Sequence, residues 1–156
     1  MKSPPEGSGL AQTKGTTMPQ KLHKFSTKSL ERLQGVHPAL QDLCLYLLYY
    51  HDVTVVYGKR TEEEQRALVE KGLSKTMNSL HLPQADGYAH AVDIAPFPID
   101  WDNTKRFYMI YGMAEVLATK VFPENAYLRW GGNWDCDEDL DDQTFMDLVH
   151  FEIRFR

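Results

Sequence analysis

Histidine and aspartate crowd into one short stretch, SLHLPQADGYAHAVD (residues 79–93), and another histidine stands near the end of the chain in DLVHFEIRF (147–155). Imidazole nitrogens and carboxylate oxygens are the ligands that a borderline divalent cation such as Zn²⁺ accepts. Neither stretch holds a complete ligand set. A metal site here must be assembled by the fold, and the strands that carry these residues decide which side chains can meet.

Two alternations narrow the choice. In AHAVDIA (89–95), read as a strand, Ala89, Ala91, Asp93 and Ala95 share one face while His90, Val92 and Ile94 share the other. An aspartate among three alanines sits where bulk has been cleared, which suits a metal or a substrate. In the closing strand, Val149, Phe151 and Ile153 form an apolar face, and Leu148, His150 and Glu152 point the opposite way. His150 therefore stands off the core, although a lone strand histidine is more often structural. His81 lies in the loop before the first of these strands and is free to swing toward Asp93. The alternation puts His90 on the wrong side, which leaves it as the rival of His81.

The candidate ligands are thus His81, Asp93 and His150. Two neutral imidazoles and one carboxylate leave a bound Zn²⁺ with about one net positive charge and a position for water, as in catalytic rather than structural zinc sites. Attack by such a water on a peptide carbonyl needs a base for its proton and a fixed donor for the developing oxyanion. Asp147, three residues before His150 where the strand begins, can serve as base. Arg60, in YGKRT between a strand and a helix start, can serve as donor. Taken singly, each also reads as an ordinary surface charge.

The elements that position these residues are legible from periodicity. HPALQDLCLYLLYYHD carries Leu40, Leu43, Cys44, Leu47 and Leu48 at helical spacing. VTVVYG (53–58) reads as a β-branched strand stopped by Gly58. Thr61 and Glu64 form a capping-box pattern at the head of TEEEQRALVEKG, with Gly72 as its stop. DNTKRFYMIYGMAEVLATK is a second strong helix, with Phe107, Ile110, Tyr111, Ala114, Leu117 and Ala118 on one face. YLRWGGNW suggests a strand running into a glycine turn. This order predicts an α+β domain, a small antiparallel sheet with helices packed on one side.

At 156 residues the chain has the size of one domain. Residues 1–24, rich in Pro, Gly, Ser, Thr and Lys, are expected to form a disordered arm, and residues 25–156 the folded domain. Met18 offers a second natural start, so the residues before it read as a possible extension. The net charge of −5 argues against nucleic acid. No apolar run is long enough to cross a membrane, and the N-terminus has no secretory-signal core. Cys44 and Cys136 are too few for a disulfide framework and are read as free thiols. In DCDEDLDD (135–142), Asp135, Asp137 and Asp139 have the first spacings of a calcium loop. Leu140 stands where such a loop needs glycine, so a different Ca²⁺ loop and a solvated acidic segment both stay open. Of the tryptophans in RWGGNW, Trp134 is nearer the candidate site; a pocket wall and core packing are both open readings for the pair.

The set Ser-Leu-His (79–81), Ala-His-Ala-Val-Asp (89–93), RWGGNW, and Asp-x-x-His-Phe-Glu (147–152) resembles the zinc peptidases that include bacterial D-alanyl-D-alanine carboxypeptidases and phage L-alanyl-D-glutamate endolysins. Lysostaphin-type enzymes and the hedgehog domain belong to the same wider fold group. The resemblance spans about residues 25–154. It implies Zn²⁺ held by His81, Asp93 and His150, with Asp147 as base and proton donor and Arg60 on substrate and transition state. Ser79 matches the family serine, and Glu152 and Trp134 become candidates for contacting the substrate. Two departures stand out: LPQADGY reads as an insertion, and Ala89 replaces the usual glycine.

The implied activity is hydrolysis of the L-alanyl-D-glutamate bond in the peptidoglycan stem peptide by a bacteriophage endolysin, an antimicrobial activity. Such an enzyme is expected to be monomeric, to accumulate in the host cytoplasm and to reach the wall through a separate pore-forming protein. A D-alanyl-D-alanine carboxypeptidase and a non-catalytic zinc module of hedgehog type are the alternatives. Retention of Asp147 speaks against the second, since a pure binder has no use for a base.

Overall fold

The computed structural model describes residues 22–137 and 139–156. The arm expected over 1–24 lies outside them as far as residue 21, and so does Met18. The elements follow the order α1 (Thr27–Leu33), α2 (Pro38–Tyr50), β1 (Val53–Tyr57), α3 (Glu62–Glu70), β2 (Ala91–Pro96), α4 (Thr104–Val121), β3 (Ala126–Gly131) and β4 (Asp147–Phe155). The four strands form one antiparallel sheet in the order β1-β2-β4-β3. This is the α+β architecture that the sequence pattern predicts.

The local signals act as their chemistry requires. Pro38 opens α2, where a missing N–H costs nothing, and the His37 ring accepts the Ala39 N–H as its cap. Thr61 and Glu64 complete a reciprocal capping box on α3. The five stripe residues of α2 are buried, as are Phe107, Ile110, Ala114, Leu117 and Ala118 of α4. All of these but Phe107 pack with Val53, Val55, Val92, Ile94, Trp130, Phe151 and Ile153 in one core cluster. Helices α2 and α4 therefore cover the apolar face of the sheet. Helix α3 does not join them: its Leu68 lines a cleft that also holds Asp93 and His150.

Two elements depart from the pattern reading. Helix α1, seven residues long, has only Leu30 and Leu33 as aliphatic residues and gives no periodic signal. It is held through the buried Ser29, whose hydroxyl meets Thr54 Oγ1 at 3.1 Å and accepts the Val55 N–H. Strand β2 begins at Ala91 rather than Ala89. Ala89 instead forms isolated bridges with Val36 and Pro83, tying the incoming loop to the start of α2.

Candidate metal centre and active-site cleft

Register builds the centre. β2 and β4 lie side by side in the middle of the sheet, with Asp93 directly opposite His150 and Ala91 opposite Glu152. On the far side of β4, Arg129 of β3 also faces Glu152. Opposed residues on antiparallel strands share a face, so Asp93, His150, Glu152 and Arg129 form a polar row on the side away from α2 and α4. Ala91 and Ala95 beside Asp93 are fully buried, so the room they leave is covered rather than open.

His81 completes the row from the loop. Its Nε2 lies 3.2 Å from Asp93 Oδ1 and 3.2 Å from His150 Nδ1, and His150 Nδ1 is 3.1 Å from the same Asp93 oxygen. The outer nitrogens fix the tautomers. His81 Nδ1 sits 2.7 Å from the Gly58 carbonyl, which can only accept, so that nitrogen carries the hydrogen. His150 Nε2 donates to Glu152 Oε1 at 2.9 Å. Both inner nitrogens are then left with lone pairs aimed at a carboxylate oxygen. Three acceptors at such separations repel one another unless a cation or a proton lies among them, and this donor set fits Zn²⁺.

Electrostatics agree with that reading. Burial favours the neutral carboxyl at Asp93, but hydrogen bonds from His150 and His81 outweigh it and hold the group well below the ordinary carboxylate range. Burial would lower the His150 imidazolium, yet hydrogen bonds to Asp93 and Glu152 raise its pKa to about 9. Without a metal, a proton on His150 takes the place of the cation.

The surroundings hold the ligands in position. Burial pushes Glu152 up, while the His150 hydrogen bond and the charges of His150, Arg129 and Arg154 bring it below its usual value. Arg129 Nε lies 2.9 Å from Glu152 Oε2, and the Arg129 guanidinium also covers the Trp134 ring at 5.1 Å. Trp134 stacks on Phe145, donates its indole N–H to the Phe145 carbonyl, and lies 5.4 Å from the His150 ring. Trp130 is core, stacked on Tyr111 at 4.3 Å, so the two tryptophans divide between the open readings. Ser79 accepts the His81 N–H at 3.3 Å and so shapes the turn that presents the histidine, while also lining the cleft.

Asp147 stands at the first position of β4, half-buried in the same cleft. Burial, followed by the nearby Asp93 charge, raises its proton affinity; His150 and His81 act in the opposite sense. Across from it, Gly131 is the one β3 residue paired to Asp147, and a Cβ there would collide with the Asp147 backbone carbonyl. Arg60 follows β1, donates its backbone N–H to the His81 carbonyl, and spreads its guanidinium over the Tyr57 ring at 4.6 Å. One guanidinium nitrogen donates to Gln65 Oε1 at 2.5 Å, and the fully buried Gln65 donates in turn to Ser74 Oγ and the Thr76 carbonyl. The resulting cleft, of about 810 Å³, is lined by Arg60, Lys75, Arg129 and Arg154 as well as the centre itself.

The chain matches the profile of the phage L-alanyl-D-glutamate peptidases over residues 21–154. It belongs to that family. The crystal structure of the Serratia marcescens L-Ala D-Glu endopeptidase ChiX superposes with a TM-score of 0.61 at 26% identity, over 85% of this chain and 91% of that one. A search of curated protein sequences returned no match. Membership makes the chain a peptidoglycan peptidase of the phage type.

The structure thus brings His81, Asp93, His150, Asp147, Arg60, Trp134, Ser79 and Glu152 into one cleft. His90 stays outside it, 2.8 Å from Asp86. The acidic loop is organised differently from the 1, 3, 5 spacing. Asp135 and Asp137 group with Asp142, whereas Asp139 accepts the Asp141 N–H. The sequence reading gives Gly58 only as a strand stop and no role to Gln65, Arg129 or Gly131, because the partners that give them one are set by the fold. The glycine pair in WGG reads as a turn, without the close approach that Gly131 makes to Asp147.

Proposed function

We propose that the chain is a zinc-dependent endopeptidase that hydrolyses the L-alanyl-D-glutamate bond of the peptidoglycan stem peptide. The observation that carries this reading is the convergence of three lone pairs, from His81 Nε2, His150 Nδ1 and Asp93 Oδ1, within 3.2 Å of one another. Those three residues would hold the Zn²⁺, which when bound supplies Lewis acidity and makes a water more acidic.

The remaining work belongs to the chain. Asp147 takes a proton from the attacking water as its oxygen bonds to the alanyl carbonyl carbon. Its raised proton affinity suits a group that must hold that proton until the C–N bond breaks and then pass it to the departing amine. Arg60, oriented by Tyr57 and Gln65, donates to the oxygen that gathers negative charge. The products are a carboxylate and a free amine. A cleft rich in guanidinium and ammonium groups, on a chain of net charge −5, complements an acidic peptide such as one containing D-glutamate. Trp134 supplies an apolar wall beside His150.

Residues 25–156 form the peptidase unit in this reading, acting as a monomer on the bacterial wall after release from the host cytoplasm through a separate pore-former. No helix among the described residues is long and apolar enough to cross a membrane. Mass spectrometry of purified muropeptides tests the proposal. Cleavage between L-alanine and D-glutamate that stops with chelator and returns with Zn²⁺ is the expected result. Loss of a terminal D-alanine alone would make the chain a carboxypeptidase, and an intact substrate beside bound zinc would leave only a binding module.

A further inference from the structure

A second histidine–carboxylate cluster lies apart from the active site. His90 Nε2 is 2.8 Å from Asp86 Oδ2, and His37 Nε2 is 4.0 Å from the same oxygen. The three ligand atoms all lie within 4.8 Å of one another. We propose that His37, Asp86 and His90 form a second site for Zn²⁺ or a similar borderline divalent cation, one that fastens the 82–90 loop to the first turn of α2.

The frame under these side chains is fixed. His37 N donates to the Ala89 carbonyl and Ala89 N to the Gly35 carbonyl, each at 2.9 Å, which laces the two segments together. Asp86 uses Oδ1 to accept the Tyr88 N–H, leaving Oδ2 for the cluster. The imidazoles meet edge to face with centroids 5.3 Å apart, and Phe155 packs against both. Their side chains are 16% and 15% exposed against 41% for Asp86, so the carboxylate marks the open side, where water can complete the coordination. Burial and the neighbouring His90 lower the proton affinity of His37, against the pull of Asp86, which keeps a neutral imidazole available.

The geometry also sets the rank of this site. Tetrahedral Zn²⁺ spaces its ligand atoms by about 3.3 Å, at bonds of roughly 2.0–2.1 Å. His81, Asp93 and His150 already stand at that spacing, whereas the second cluster must even out a wider spread. His37 Nδ1 accepts the Ala39 N–H, so coordination through Nε2 moves the ring proton to Nδ1 and gives up that cap. The second site must bind more weakly than the first. Asp86 lies in the LPQADGY segment, the apparent insertion relative to the family pattern.

Zinc titration of the whole chain by calorimetry and native mass spectrometry tests this. Two ions per chain are expected, with the weaker lost in His90→Ala and in Asp86→Asn while peptidase activity is retained. His81→Ala should lose the tighter ion and keep the weaker. Hydrogen exchange in residues 82–90 should slow only on filling the second site. A single ion in the whole chain would overturn the proposal. So would a second ion that survives both His90→Ala and Asp86→Asn, including one that disappears instead when Asp135 and Asp137 are replaced by asparagine. The exposed position of Asp86 keeps the test open should His90→Ala fold poorly.

Discussion

The two histidine–carboxylate clusters use the same three side-chain types and differ in what stands behind them. At His81, Asp93 and His150, two ligands sit opposite each other on central strands, and the outer nitrogen of each imidazole is committed, to Gly58 or to Glu152. At His37, Asp86 and His90, one ligand caps a helix and the other two hang on a loop. The first cluster is buried and evenly spaced; the second is partly exposed and uneven. Ligand identity alone does not make a metal centre. The fixed tautomers and the strand register set the inner cluster above the outer one as a place for a cation.

The largest way to sharpen that contrast is to remove the carboxylate from each. Asp93→Ala takes away one of three converging ligands, and turnover should fall to background with metal affinity reduced by more than about 100-fold. Asp86→Ala, the matching change in the outer cluster, should leave turnover nearly untouched. Parallel zinc quantification and muropeptide assays check both. Comparable losses from the two changes would show that the clusters are coupled rather than separate.

Next in size is the separation of binding from chemistry inside the cleft. Asp147→Asn keeps shape and removes the proton acceptor, so kcat should drop by about 10²–10⁴ with zinc content unchanged. Zinc lost from this variant would make Asp147 a ligand. Glu152→Gln probes the support behind His150. The amide cannot stabilise the Nε2–H as a carboxylate does, and metal affinity should fall about 10–100-fold, measured by chelator competition.

How much of this was legible in the sequence follows from the range of each signal. Asp93 and His150 could be read because a two-residue alternation places a side chain on a face without any knowledge of the neighbouring strand. The same alternation kept His90 away from the centre, and the structure places it in the other cluster. Helices α2 and α4 carry their own apolar stripes, and α3 its own capping box. Helix α1 has a Ser26 cap but no stripe, and is held by Ser29 bonding to β1, a contact 25 residues away. Gly58 reads as a strand stop, but its carbonyl fixes the His81 tautomer. Gln65 reads as an ordinary helix residue, but it is fully buried and tethers Arg60 to the loop at 74–76. A contact that spans the fold leaves no local period to find.

The mildest expected effect concerns the proton that takes the place of the metal. In the metal-free chain His150 titrates at about 9, raised from its ordinary 6.5 by Asp93 and Glu152 against the effect of burial. Below about pH 9 the folded, metal-free centre therefore holds a proton that zinc must expel. Each unit of acidification should weaken apparent zinc affinity about tenfold, and above that pKa the dependence should flatten. The sign extends to folding. A raised pKa contributes stability that is complete below 6.5 and disappears as the pH climbs through about 9. The chelated chain should thus lose stability over that window, and zinc should abolish the loss, because the cation then neutralises the same three lone pairs. Chelator competition and denaturant unfolding at several pH values measure the two slopes. In the outer cluster burial and the neighbouring His90 shift His37 downward, so its zinc affinity should depend less on pH over the same range. Equal slopes at the two sites would mean that the buried centre gains nothing from its committed outer nitrogens.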